Sequence, residues 1–288
     1  MSTLPATTGA TAPTEPAVPT EPAVPTEPAV PAEPAVPAGR AVPAHLRAAV
    51  DAAKERVAAL HAELPRWELV VWTAGNVSER VRAGSVEGPG STGVAGGTSA
   101  ADGLGDLLVI KPSGLSYDDI TPESMVVCDL DGNLVEGDRA PSSDTAAHAY
   151  VYRHMPEVGG VVHTHSTYAT AWAARAEPVP CVLTMMADEF GGDIPVGPFA
   201  LIGDDSIGRG IVETLRDSRS PAVLMRNHGP FTIGKDARSA VKAAVMCEEV
   251  ARTVHVSRQL GDPTRIEQSD VDSLYARYQH VYGQQPAH

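Results

Sequence analysis

The segment Val161-Val162-His163-Thr164-His165-Ser166 carries two imidazoles two residues apart. On a β-strand such residues face one side with backbones about 7 Å apart, as two ligands of one metal ion require. Two polar residues on a solvated strand face would leave the same trace. His228 supplies a third imidazole, at the end of an apolar run and directly before Gly229-Pro230, where a strand gives way to a turn. Taken alone, His228 reads more readily as a capping or core histidine. Joined to the pair, it completes the three-histidine set with an open position that marks a catalytic zinc site. His45, His61 and His255 fall on helices without a partner pattern and His288 is terminal, so none is assigned a role; His148 and Tyr152, one helical turn apart, share a face of a helix, a placement that packing explains equally well.

Three further segments offer anion donors: Gly75-Asn76-Val77-Ser78, Lys111-Pro112-Ser113-Gly114 and Pro141-Ser142-Ser143-Asp144. Each ends or follows an expected strand. Glycine-freed amides, hydroxyls, a lysine charge and a helix start after Ser143 are what a phosphate group asks for. Each segment by itself is an ordinary turn or cap, and it is their joint presence with the histidine strand that indicates a site.

The elements that must carry these groups follow from periodicity. Residues 45–64 space their apolar side chains as a helix that stops before Pro65. Short strands are expected in ELVVWTAG (68–75), LLVIKPSG (107–114), both sides of the Asp131-Gly132-Asn133 turn, VGGVVHTHS (158–166), CVLTMMA (181–187), IPVGPFALIG (194–203), PAVLMRNHG (221–229) and PFTIG (230–234). Helices are expected from about Asp144 to His154, over 207–217, from about Asp236 to Leu260 with Gly261 as its stop, and over 270–285. The pattern implies an α/β sandwich with a largely antiparallel central sheet flanked by helices. Residues 1–42 contain four TEPAVP-like repeats and read as a disordered tail before a catalytic domain over 43–288, with a glycine-rich surface loop at about 83–105.

The net charge is −14; the tail's glutamates oppose only Arg40, leaving about −11 on the rest, which disfavours nucleic acid. Three cysteines without CxxC spacing suit a reducing cytoplasm. No uninterrupted apolar run of about 18 residues indicates a membrane span.

In this order, GNVS, KPSG, PSSDT, HTHS-x-x-AT-x-W and NHGPF resemble the class II aldolase family of sugar-phosphate aldolases and 4-epimerases, over about residues 46–284. Asp144 where the aldolase branch has glutamate, Asp188 in ADEFGG and Tyr282 in VYGQ bring it nearest to the L-ribulose-5-phosphate 4-epimerases. Met186 departs from that pattern, standing where such epimerases often have histidine. The resemblance implies a three-layer α/β/α fold. It further implies that His163, His165 and His228 bind Zn²⁺ or another divalent ion such as Mn²⁺ or Co²⁺, with Asp144 beside it as a ligand or acid/base. Asn76, Lys111, Ser113, Gly114, Ser142 and Ser143 would hold the phosphate of a small ketose. Asp188 and Tyr282 would move the C4 hydroxyl proton, Tyr282 from a neighbouring subunit of a homotetramer whose sites lie at subunit interfaces. An aldolase of the L-fuculose- or L-rhamnulose-phosphate type shares the metal and phosphate groups, whereas a non-catalytic adducin-like scaffold would lack the metal.

Overall fold

Leu107-Leu108-Val109-Ile110, Val126-Val127-Cys128, Val161-Val162 and Ala222-Val223-Leu224-Met225 are apolar at every position. Successive strand residues point to opposite faces, so such runs must be covered on both sides. The computed structural model, which describes residues 41–84 and 105–280, meets that demand with one eight-stranded sheet between helices. The strands are β1 (Asn76–Val81), β2 (Leu107–Ile110), β3 (Val126–Asp129), β4 (Leu134–Glu136), β5 (Gly160–His163), β6 (Val196–Gly197), β7 (Ala222–Met225) and β8 (Gly229–Gly234). Their order is β4-β3-β2-β1-β5-β8-β7-β6, antiparallel throughout except for the edge pair β6–β7. The helices are α1 (Arg47–His61), α2 (Glu63–Arg66), α3 (Thr145–His154), α4 (Thr167–Arg175), α5 (Thr184–Phe190), α6 (Ser206–Leu215), α7 (Ala237–Leu260) and α8 (Gln268–His280). None is long and apolar enough to cross a membrane.

On one face, Leu107, Val109, Val127 and Val162 pack against Val50, Ala53 and Val57 of α1 and Ala240, Val241 and Ala244 of α7. The alternate residues Leu108, Ile110, Val126, Cys128 and Val161 pack with Ala147 and Val151 of α3 and Ile207, Ile211 and Leu215 of α6. A third cluster joins Ala222 and Leu224 to α4, α5, the second half of α7 and Val271 of α8. The result is the expected three layers. Two strong helix signals hold as read: the Asp236 side chain accepts the Ser239 N–H at 2.7 Å to start α7, and Gly261 at φ 136° ends it.

Several expectations are corrected. ELVVWTAG is not a strand: Leu69 is buried, but Val71 and Trp72 are exposed and pair with no strand, and the first strand starts at Asn76. The first helix breaks at His61, and Pro65 sits inside the one-turn α2, where the missing N–H costs nothing because first-turn amides have no helical partner. CVLTMMA is largely helical: Met186, Ala187 and Phe190 are buried at helical spacing, and that face outweighs the β preference of Cys181 and Val182. IPVGPFALIG keeps only Val196–Gly197 as strand, since Pro195 and Pro198 remove ladder donors on either side. The unanticipated α4 has no side-chain cap of its own; Glu248 of α7 accepts the Tyr168 and Ala169 N–H groups at 2.9 Å each. The expected tail and glycine-rich loop fall largely outside the described residues, although Val42 already packs into the core.

Candidate active site

β5 ends at His163, so the strand argument places only the first imidazole; His165 lies in the extended segment that follows. The Nδ1–H of His163 donates to the Pro230 carbonyl at 3.0 Å, fixing the tautomer and leaving the Nε2 lone pair free. Phe231 stacks on the same ring at 4.1 Å between centroids, which holds its plane. His228 comes from the tight turn between β7 and β8, where Asn227 adopts φ 58°, a left-handed conformation that asparagine tolerates better than most residues. The ligand nitrogens of the three histidines lie within 4.8 Å of one another, and the Nε2 atoms of His163 and His165 are 2.9 Å apart. Nitrogens at the usual zinc distance on a tetrahedral ion sit about 3.3 Å apart, so three imidazole nitrogens gathered within 4.8 Å are a donor set of the kind and spacing that side-chain adjustment can close around a divalent cation. Burial lowers the pKa of all three histidines, His163 to about 3, which keeps them neutral and able to ligate.

Asp144 stands at the N-cap position of α3, where its side chain makes no capping bond and turns into the site, and it is 6% exposed. Its Oδ2 accepts the Asn76 Nδ2–H at 2.7 Å, and its Oδ1 is buried without a hydrogen-bond partner. Burial acts to raise its pKa, but the field of His163 and His148 and the Asn76 bond outweigh this and hold the carboxyl below its ordinary value. A deprotonated oxygen without a donor, in a cleft that also holds three imidazoles, is again what a cation would satisfy.

The anion donors converge on the same cleft of about 200 Å³, lined by Asn76, Lys111, Ser113, Gly114, Ser142, Ser143, Asp144 and the three histidines. Two of the loops are tied together, since Ser113 N–H donates to the Ala140 carbonyl at 2.9 Å and Ser142 N–H to that of Lys111 at 3.1 Å. Asn76 also donates to Ser142 Oγ at 3.0 Å. Lys111 donates to the Thr73 carbonyl at 2.9 Å, and burial lowers its pKa, partly offset by Asp144. Gly75 must be glycine: its φ is 80°, and a Cβ there would stand 2.6 Å from Val70 and 2.9 Å from the His163 carbonyl.

Of the residues singled out in the sequence, these ten come together. Asp188 does not join them within one chain. It lies on α5, outside the residues that line the cleft, with Oδ1 buried and 3.7 Å from Arg277 of α8. Met186 beside it is fully buried in the apolar cluster under α5. Tyr282 lies outside the described residues. Sequence reasoning missed the backbone wall of Thr73 and Ala74, which followed from misreading 68–75 as strand, and Ile202, whose position beyond a two-residue strand left no pattern. It also passed over His61, whose Nδ1–H donates to Val57 O at 2.7 Å while Nε2 accepts the Val77 N–H at 3.0 Å, clamping α1 to the start of β1.

Known proteins share this architecture. An L-fuculose 1-phosphate aldolase is 24% identical, with a TM-score of 0.67 over 79% of this chain and 96% of that one. YgbL from Klebsiella pneumoniae, assigned no more narrowly than aldolase/epimerase/decarboxylase, is 25% identical, with a TM-score of 0.63 over 78% of this chain and 98% of its own. The L-fuculose-1-phosphate aldolase of Thermus thermophilus is 23% identical, with a TM-score of 0.56 over 76% of this chain and 100% of that one. At these identities the likeness is one of fold. Residues 55–255 match the family described as Class II Aldolase and Adducin N-terminal domain. The chain therefore belongs to the class II aldolase and adducin family.

Proposed function

We propose that the chain is a divalent-metal-dependent enzyme that breaks and remakes the C3–C4 bond of a ketose phosphate, acting as an L-ribulose-5-phosphate 4-epimerase. The observation that carries the reading is the meeting in one cleft of three neutral histidines, an unpaired buried carboxylate oxygen and donors from three phosphate-type loops. A bound zinc or similar ion would supply Lewis-acid stabilisation of the negative charge left on the ketose oxygens when the bond breaks. The rest of the work belongs to the chain. His163, His165 and His228 would hold the ion, and Asp144 would complete its surroundings or exchange a proton with the substrate. Asn76, Ser113, Gly114, Ser142 and Ser143 would bind the phosphate, with Lys111 balancing its charge.

Loss of the C4 hydroxyl proton turns C4 into a carbonyl as the C3–C4 electron pair moves toward C3 and C2. If the aldehyde stays bound, turns over and is attacked again from its other face, C4 is inverted. That outcome needs acid/base groups on both sides of C4, and Asp188 and Tyr282 are proposed for it, Tyr282 from a neighbouring copy in a homotetramer. The exposed apolar side chains Val71, Trp72, Phe199, Leu201 and Ile202, on segments that border the cleft, support cover by a second copy. The three described cysteines are free and buried, in keeping with a cytoplasmic setting.

A second reading, release of the aldehyde as in a sugar-phosphate aldolase, draws support from Asp188, which faces Arg277 instead of its own chain's cleft. Zn²⁺-loaded protein incubated with L-ribulose 5-phosphate and followed by NMR separates the two. D-xylulose 5-phosphate without free aldehyde is expected, accumulation of free aldehyde would replace the epimerase by the aldolase, and neither product would remove this substrate.

A further inference from the structure

α3 sets Asp144, His148 and Tyr152 four residues apart, on one face of the helix. Opposite them β1 sets Asn76 and Ser78 two apart, on one face of the sheet. The two rows meet rung by rung. Asn76 binds Asp144, while Ser78 Oγ lies 2.8 Å from His148 Nδ1 and 2.7 Å from the Tyr152 hydroxyl. Ser78, His148 and Tyr152 are all fully buried. An apolar contact would fill this space without the cost of desolvating three polar side chains, so the chain calls for a purpose.

Two directions are open to it, and the unpartnered groups at its end choose between them. Ser78 has one hydrogen and bridges two partners, so it donates to one and accepts from the other. If Tyr152 O–H donates to Ser78, and Ser78 O–H to His148 Nδ1, every hydrogen of the chain has an acceptor except the one on His148 Nε2. The opposite direction would leave the Tyr152 hydroxyl hydrogen without an acceptor among these groups and His148 Nε2 without a hydrogen, so His148 Nε2 and Asp144 Oδ1 could not satisfy each other. His148 Nε2 is indeed buried without a partner, and so is Asp144 Oδ1, one helical turn away. The ring is fully buried, which favours its neutral form, with one nitrogen as acceptor and the other as donor.

We infer that His148 is a positioning residue: its Nε2–H, oriented by the Tyr152–Ser78 chain, is the donor for Asp144 Oδ1. The two groups serve each other when the carboxylate turns about its soft Cβ–Cγ bond. Asp144 is then gripped by one donor on each oxygen, Asn76 on Oδ2 and His148 on Oδ1, and its remaining lone pairs are aimed by the protein. The inference rests on the proposed role of Asp144 at a metal-bound sugar, and it goes further by naming what holds that carboxylate in place.

A double-mutant cycle in the full-length protein tests it, with Asp144→Asn and His148→Phe made singly and together. Two readouts are taken: Zn²⁺ affinity by chelator competition, and kcat and KM for L-ribulose 5-phosphate. The expected result is a loss of about tenfold in Zn²⁺ affinity for each single variant and no further loss in the double, as for groups that act behind a ligand. In parallel, His148→Phe lowers kcat by about 10- to 100-fold with KM within about twofold. Ser78→Ala, which frees the tautomer without emptying the core, shifts both readouts in the same direction by a smaller factor and serves where His148→Phe does not fold. Multiplying effects in the double variant would overturn the inference, as would a fall in melting temperature with Zn²⁺ affinity unchanged. If the wild type converts no ketose phosphate, the proposed function fails while the Zn²⁺ cycle still decides the role of His148.

Discussion

The floor and the rim of the cleft are built on opposite terms. On the floor, Asn76, Lys111, Asp144 and His163 are at most 6% exposed although all are polar, and each is held by a hydrogen bond from or to another part of the chain. On the rim, Val71, Trp72, Leu201 and Ile202 are apolar and 56–87% exposed. Ordinary folding would reverse both choices, since burying polar groups costs free energy and exposing apolar ones forgoes it. The contrast separates two jobs. The floor is finished inside one chain, where low polarity strengthens electrostatic contacts. The rim leaves apolar surface in water, which is the ground for the proposed second copy.

Breaking the floor is expected to have the largest effect. His165→Asn, or removal of the metal with a chelator, should lower turnover by about 10³-fold or more, the scale of several kcal/mol of lost charge stabilisation. Circular dichroism and light scattering should show fold and assembly retained, because His165 is exposed and its ring contacts are with His163 and His228. If turnover survived, the metal-dependent reading of the floor would have to be abandoned.

Breaking the rim should act through assembly. Trp72→Ser combined with Leu201→Ser removes two large exposed apolar side chains and is expected to weaken self-association by about 10- to 100-fold, measured by sedimentation. Thermal stability of the dissociated chain should hardly change. Oligomers that persist at the wild-type concentration limit would show that the rim faces something other than a second copy.

Buried neutral histidines behind the floor predict a pH dependence that the rim lacks. His61 is held to a pKa of about 3 by burial, and His148 to about 4. Below the unfolded value near 6.5 the unfolded chain binds protons that the folded chain refuses, so stability is intact above about pH 6.5 and falls as pH drops toward 4. Each histidine contributes a slope of up to about 1.4 kcal/mol per pH unit, visible in urea midpoints of the metal-free protein. His61→Gln should flatten that slope, and an unchanged slope would remove His61 as its source.

The smallest effect belongs to the contact that starts α4 directly after the histidine segment. Glu248→Gln keeps an acceptor but loses the charge facing the Tyr168 and Ala169 amides, and should cost about 1 kcal/mol of stability with metal affinity within twofold.

What was legible in the sequence was whatever a short segment decides by itself. The buried strands announced themselves as unbroken apolar runs, α7 by its Asp236 start and Gly261 stop, and the histidines and phosphate loops by residue type beside turns. Misreadings fell where local preference and packing disagree. Val71 and Trp72 favour a strand but have no partner, and Met186 and Phe190 sit in a β-favouring run yet are buried at helical spacing.

The sequence by itself determined which residues could serve as ligands and donors, and the layered α/β class, because these depend on side-chain chemistry and on periods of two and 3.6 residues. Only the tertiary structure decided that β1, β5 and the β7–β8 turn would bring Asn76, His163 and His228 together across a sheet whose strand order is not the chain order. The same holds for Asp188 facing α8 and for His61 and His148 being buried as neutral hydrogen-bonding groups. Those outcomes depend on contacts between residues far apart in the chain, whose strength comes from burial and mutual geometry that no local pattern records.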